Sequence, residues 1–171
     1  MGDVWAAVRD DFSDLSDAGQ FTRIAVRLLL AAILGGVLGY EREHRHKRAG
    51  LRTHMLVAVG AALFVLVPVQ AKMSSEAVSR VLQGLVVGIG FLGAGTILHL
   101  HDRQDIKGLT TAANIWLTAA IGVCVGVGLG ATAVLSSALA LVILEVLRRL
   151  ERSAHGHAQP QPGADPPRVT V

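Results

Sequence analysis

From Gly108 to Leu144 the sequence runs for 37 residues without an Asp, Glu, Lys or Arg. Two shorter uncharged runs precede it, 19 residues from Thr53 to Ala71 and 21 from Val81 to His101. A hydrocarbon layer about 30 Å thick is crossed by roughly 20 helical residues. Each shorter run therefore has the length of one crossing, and the long run that of two short crossings joined by a tight turn. A chain of 171 residues with 51% apolar side chains could instead close around a soluble core. Uncharged runs this long leave no polar face to turn towards water, and the chain reads as a multi-span membrane protein.

One further span lies upstream. Leu28 to Tyr40 supplies only 13 uncharged residues, but reaching back to Phe21 gives a spanning length if Arg23 and Arg27 snorkel towards the interface. "LLLAAILGGVLG" has no polar face, which a helix lying on the surface would need. The spans predicted are 21–40, 53–71, 81–99, 109–127 and 131–147. The fold class expected is an all-α membrane protein of five transmembrane helices, built as two helix-loop-helix repeats plus a fifth helix.

The ends differ in composition. Residues 1–20 hold five Asp and one Arg, the opposite of a signal peptide's basic start, and read as an extracytoplasmic segment. Residues 148–171 contain four of the five prolines and read as a disordered cytoplasmic tail. The single Cys124 falls inside a span, so no disulfide framework is expected.

Charge sets the orientation. Arg42, Arg45, Lys47, Arg48 and Arg52 in the first loop fall on the same side as Arg103, Lys107 and the C-terminal arginines, eleven basic residues in total. Arg9, Arg23, Lys72 and Arg80 are the four on the other side. The positive-inside rule places the N-terminus outside and the C-terminus in the cytoplasm of a bacterial inner membrane. Topology thus accounts for the basic loop, which has no aromatic platform or recognition helix, and no nucleic-acid partner is expected.

Offset by 58 positions, the sequence aligns with itself without gaps. "GLRTHMLVAVGAALFVLVPV" (50–69) falls on "GLTTAANIWLTAAIGVCVGV" (108–127), matching Gly50/Gly108, Leu51/Leu109, Thr53/Thr111, Ala61/Ala119 and Ala62/Ala120. Each copy is a glycine-rich helix, a charged loop, and G-L-x-T opening a return helix. Both copies run in the same direction, which implies a pseudo-two-fold axis along the membrane normal.

Small residues recur at helical spacing. Gly35 and Gly39 share a face, as do Gly84 and Gly88, while Asn114, Thr118, Gly122 and Gly126 follow one another at steps of four. Such stripes let backbones approach, and packing within the bundle is the first expectation. A docking face for another membrane protein is the alternative.

No catalytic constellation is visible. An enzyme would need a nucleophile with its base, paired carboxylates or a ligand cluster, and no carboxylate lies deep in a span. His44/His46, His99/His101 and His155/His157 lack a Cys or an i,i+4 partner and read as exposed histidines rather than metal ligands. Glu41, Glu43, Asp102 and Asp105 could attract Mg²⁺, but Arg and Lys outnumber them locally. No cofactor is expected. Thr110, Thr111 and Asn114, with Trp116 beside them, form the most suggestive polar cluster, readable either as a structural cap or as a partner contact.

"GYERE…RAGLRTHMLVAVGAALF", "GLVVGIGFLGAGTIL" and "KGLTTAANIWLTAAIGV" together resemble the MgtC/SapB family of bacterial inner-membrane proteins over residues 21 to 147. The resemblance implies a link to growth in low magnesium and to virulence. It also implies action by binding and regulating other membrane machinery, with small membrane peptides among the partners. Virulence-associated members carry a further soluble C-terminal domain and tend to have Asn where this sequence has Thr110. The function expected is a non-enzymatic inner-membrane protein that binds and modulates other membrane proteins, alone or as a homo-oligomer. Glu41, Arg42, Arg52, Thr53, Thr110, Thr111 and Asn114 are its candidate contacts, and a Mg²⁺ or other cation transporter or channel is the alternative.

Overall fold

The structure is a computed structural model that describes residues 4–5, 18–99 and 106–155. Five long helices follow one another: α1 (Ala18–His44), α2 (Leu51–Gln70), α3 (Ser75–Thr96), α4 (Leu109–Val127) and α5 (Gly130–His155). Each is long and apolar enough to cross a membrane, so the protein is a multi-pass membrane protein with five candidate spans. Two two-residue strands, β1 (Leu98–His99) and β2 (Ile106–Lys107), pair antiparallel between α3 and α4, a hairpin that the pattern of uncharged runs does not mark.

Local chemistry moves several helix ends away from the predicted ones. α1 continues through the charged turn to His44, where Glu41 pairs with Arg45 one turn on and Tyr40 stacks on His44 with ring centroids 6.2 Å apart. α3 starts six residues before the predicted span because the Ser74 side chain accepts a hydrogen bond from the Ala77 N–H at 3.3 Å. α5 runs on to His155, so residues 148–155, expected to be disordered, are helical. Glu145 reaches Arg148 at 2.6 Å and Arg149 at 2.9 Å, one turn apart on the same face, and supports that extension. Residues 156–171 and most of 1–17 lie outside the described residues, as do Asp102 and Asp105.

The core sits between α1, α2 and α4. Half of the most apolar stretch of α4 is buried, against 11% of that of α3. Ala31, Leu34 and Leu38 of α1 meet Ala58 and Ala62 of α2 and Ile121 and Val125 of α4, and α5 adds Ala133 and Ala140. These side chains are small, so the backbones lie close. A methyl group at Gly35 would strike the His54 carbonyl, and one at Gly122 or Gly126 the carbonyls of Ala58 and Ala62. Gly39 likewise faces the backbone of Gly50 and Leu51. Where lipid tails are as apolar as the helices, such contacts hold the bundle by van der Waals packing.

Gly84 and Gly88 behave differently. Among the described residues nothing stands within 4 Å of where their side chains would begin, so the packing expected of them is not made there. α3 turns Ile89 and Gly93 inward instead, with Gly93 against Ala112 of α4, and this rotation leaves the 84/88 face outward.

Candidate functional site

The two G-L-x-T corners are closed by different means. At the first, the Glu43 carboxylate accepts a hydrogen bond from the Leu51 N–H at 2.8 Å, so an acidic side chain occupies the N-terminus of α2. At the second, Gly108 adopts a left-handed conformation, with φ of 102°, and no side chain among the described residues caps α4. A side chain at Gly108 would also collide with the Thr96 carbonyl, so glycine is required there on both counts.

Between these corners lies a line of buried polar groups. His54, on the first turn of α2, has no exposed surface. Its Nδ1 lies 2.9 Å from the Gly50 carbonyl oxygen, which can only accept, so Nδ1 carries the proton. Nε2 then accepts from the Asn114 side-chain amide at 3.1 Å. One turn along α4, the Thr118 hydroxyl donates to the Asn114 carbonyl at 2.8 Å. From α1, Arg42 Nη2 donates to Thr111 Oγ1 at 3.3 Å. Three helices are thus joined through polar side chains, with each buried group on α4 recurring at steps of three or four residues.

Two clefts open beside this line at the charged-loop end. The larger, about 720 Å³, lies between the first loop and α5 and is lined by Glu41, Arg45, Leu144 and Arg148 among others. Arg45 bridges it, pairing with Glu41 and reaching Glu145 at 3.0 Å. The smaller, about 410 Å³, lies between the first loop and the start of α4. Arg42 and Thr110 line both.

The predicted contact residues therefore separate into groups. Arg42, Thr111 and Asn114 come together in the buried line, each no more than 5% exposed. Glu41 lines the larger cleft, and Thr110 is exposed between the two. Arg52 and Thr53 are exposed at the head of α2 and line neither cleft. Among the described residues, no group of three or more His, Cys, Asp or Glu side chains is placed to hold a metal ion.

Sequence reasoning missed His54, Glu43 and Arg27. His54 was hidden among the other histidines of a basic stretch. Its step of four to Ala58 and of eight to Ala62 places it on the buried stripe of α2. Arg27 was expected to snorkel, but its Nη1 donates to the Gly126 carbonyl at 3.0 Å, placing a cation at the C-terminal end of α4.

The model of the MgtC family matches residues 28–153, a stretch that holds every residue of the buried polar line. The chain belongs to the MgtC family. It is 43% identical to protein SrpB of Synechococcus elongatus over 147 residues, which cover 80% of this chain and 81% of that one. It is 46% identical over 132 residues to the Escherichia coli protein named "Putative magnesium transporter YhiD", covering 73% of this chain and 60% of that one. Protein MgtC of Brucella abortus is 44% identical over 120 residues, 70% of this chain and 49% of the relative. The chain thus spans most of SrpB but only about half to three-fifths of the other two. No solved structure matches it.

Proposed function

We propose that this MgtC-family protein is a non-enzymatic regulator that binds other proteins of the bacterial inner membrane, or small membrane peptides, and modulates them. The observation that carries the reading is the outward face of α3. Gly84 and Gly88 form a small-residue stripe of the kind that lets a second helix approach closely, and nothing among the described residues occupies it. Val87 and Phe91, 75% and 81% exposed, flank the stripe with apolar surface. Exposed Arg52, Thr53 and Thr110 provide contacts at the charged-loop end, which the positive-inside rule puts in the cytoplasm. Arg42, Thr111 and Asn114 set their positions from within. The link to magnesium limitation is part of the same reading, as is self-association through α3.

In-membrane crosslinking from α3, followed by identification of the captured proteins, tests this. Gly88→Leu should leave the protein folded and remove the crosslinked partner, because a large side chain fills the groove without striking this chain. An unchanged partner list in Gly88→Leu would refute the reading. A second reading, cation transport, draws on the name of the E. coli relative. Purified protein in liposomes separates the two: Mg²⁺ flux proportional to protein would favour transport.

A further inference from the structure

The smaller cleft has a chemistry that partner binding does not use. Four cationic side chains line it, Arg42, Lys47, Arg48 and Lys107, and no carboxylate among the described residues does. Glu41, next to Arg42 in sequence, lines the other cleft and pairs with Arg45. The start of α4 supplies Gly108, Thr110 and Thr111, and His46 and Thr96 complete the wall. Among the described residues the first turn of α4 has no side-chain cap, and its N–H groups and the positive end of the helix dipole lie at the same cleft. In the matching corner, the Glu43 carboxylate occupies the equivalent place.

Arg42 is the independent sign that something is missing. It is 3% exposed, yet its side chain makes a single hydrogen bond among the described residues, the 3.3 Å contact to Thr111. Its Nε is buried with no partner at all. A guanidinium has five donors, and burying one so poorly satisfied is costly unless an anion completes it. Four positive charges, hydroxyls and open backbone N–H groups suit a multiply charged tetrahedral oxyanion better than a single carboxylate. About 410 Å³ leaves room for the group that carries it.

We propose that the cleft between the first loop and the start of α4 binds a phosphate group, held by Arg42, Lys47, Arg48, Lys107 and the N-terminus of α4. The phosphate comes either from a phospholipid headgroup at the membrane surface or from a soluble phosphate compound. The site is separate from the α3 face and does not depend on the partner-binding reading.

The test uses the full chain in nanodiscs and reads the midpoint of thermal unfolding. Inorganic phosphate or ATP is added in discs of a phosphate-free galactolipid at constant ionic strength, and galactolipid discs doped with phosphatidylglycerol are compared without either. The expected result is a rise of several degrees in at least one arm. A rise with soluble phosphate identifies that source, and a rise confined to phosphatidylglycerol identifies the lipid. The double variant Arg48→Ala/Lys107→Ala, at exposed positions, should lose the rise. The double variant Lys72→Ala/Arg80→Ala, which removes the same charge at the opposite end, should keep it. No rise in any arm, or equal loss in both double variants, would overturn the proposal.

Discussion

His54 and the carboxylate of Glu145 are both polar groups near the charged-loop end, yet they differ in consequence. Glu145 is about one-third exposed, so its pairs with Arg45, Arg148 and Arg149 are screened by water and salt and each contributes little to stability. His54 is sealed from solvent, and both ring nitrogens depend on partners. Interhelical hydrogen bonds of this kind contribute on average about 0.6 kcal/mol and at most about 1.7. Removing one partner costs more than the bond, because the other is left buried and unsatisfied. A double-mutant cycle of His54→Ala and Asn114→Ala, followed by unfolding in detergent, should therefore give a coupling of about 0.6 to 1.7 kcal/mol. A coupling of zero would mean that the two side chains do not share this bond.

Among the helices, α4 is the one that the others are built around, and α3 is the one that the bundle uses least. The contrast comes from rotation about the axis rather than from composition, since both carry glycines at steps of four. In α4, Gly122 and Gly126 lie against the carbonyls of Ala58 and Ala62, where a larger side chain has no rotamer that avoids backbone. In α3, Gly84 and Gly88 meet open space. Gly126→Leu should accordingly abolish folded, monodisperse protein on size-exclusion chromatography, while Gly84→Leu still yields a folded, monodisperse peak. Equal behaviour of the two variants would contradict this packing.

At the scale of the whole molecule, the two repeats meet through their return helices. α2 and α4 pack backbone to backbone at the centre, and the first G-L-x-T corner feeds His54 into that contact while the second feeds Asn114. The corners therefore share a sequence and a role in opening helices, but among the described residues the second lacks a side-chain cap and lies beside a cationic cleft. The charge balance predicts that this end faces the cytoplasm. Reporter fusions should place Ser75 outside and Ser153 inside; a cytoplasmic signal at Ser75 would invert the orientation.

The number of spans and the helical class follow from the sequence alone, because crossing a bilayer demands about 20 predominantly apolar residues per helix whatever the neighbours do. Family membership was equally legible in the ordered glycine motifs, and Thr110, Thr111 and Asn114 stood out as polar groups opening an apolar span. Which glycines pack, which polar groups find each other and which charges are left without acceptors belong to the tertiary structure. A glycine stripe reads the same whether it faces a helix or lipid, and His54 reads like its neighbours until Asn114 arrives from 60 residues away. From the sequence, Arg42 reads as a topology charge and a candidate contact at the loop entry, with nothing to mark it as buried. Its burial beside Thr111 is decided by where α4 begins, and that depends on a left-handed glycine and a two-residue hairpin which no hydropathy pattern records.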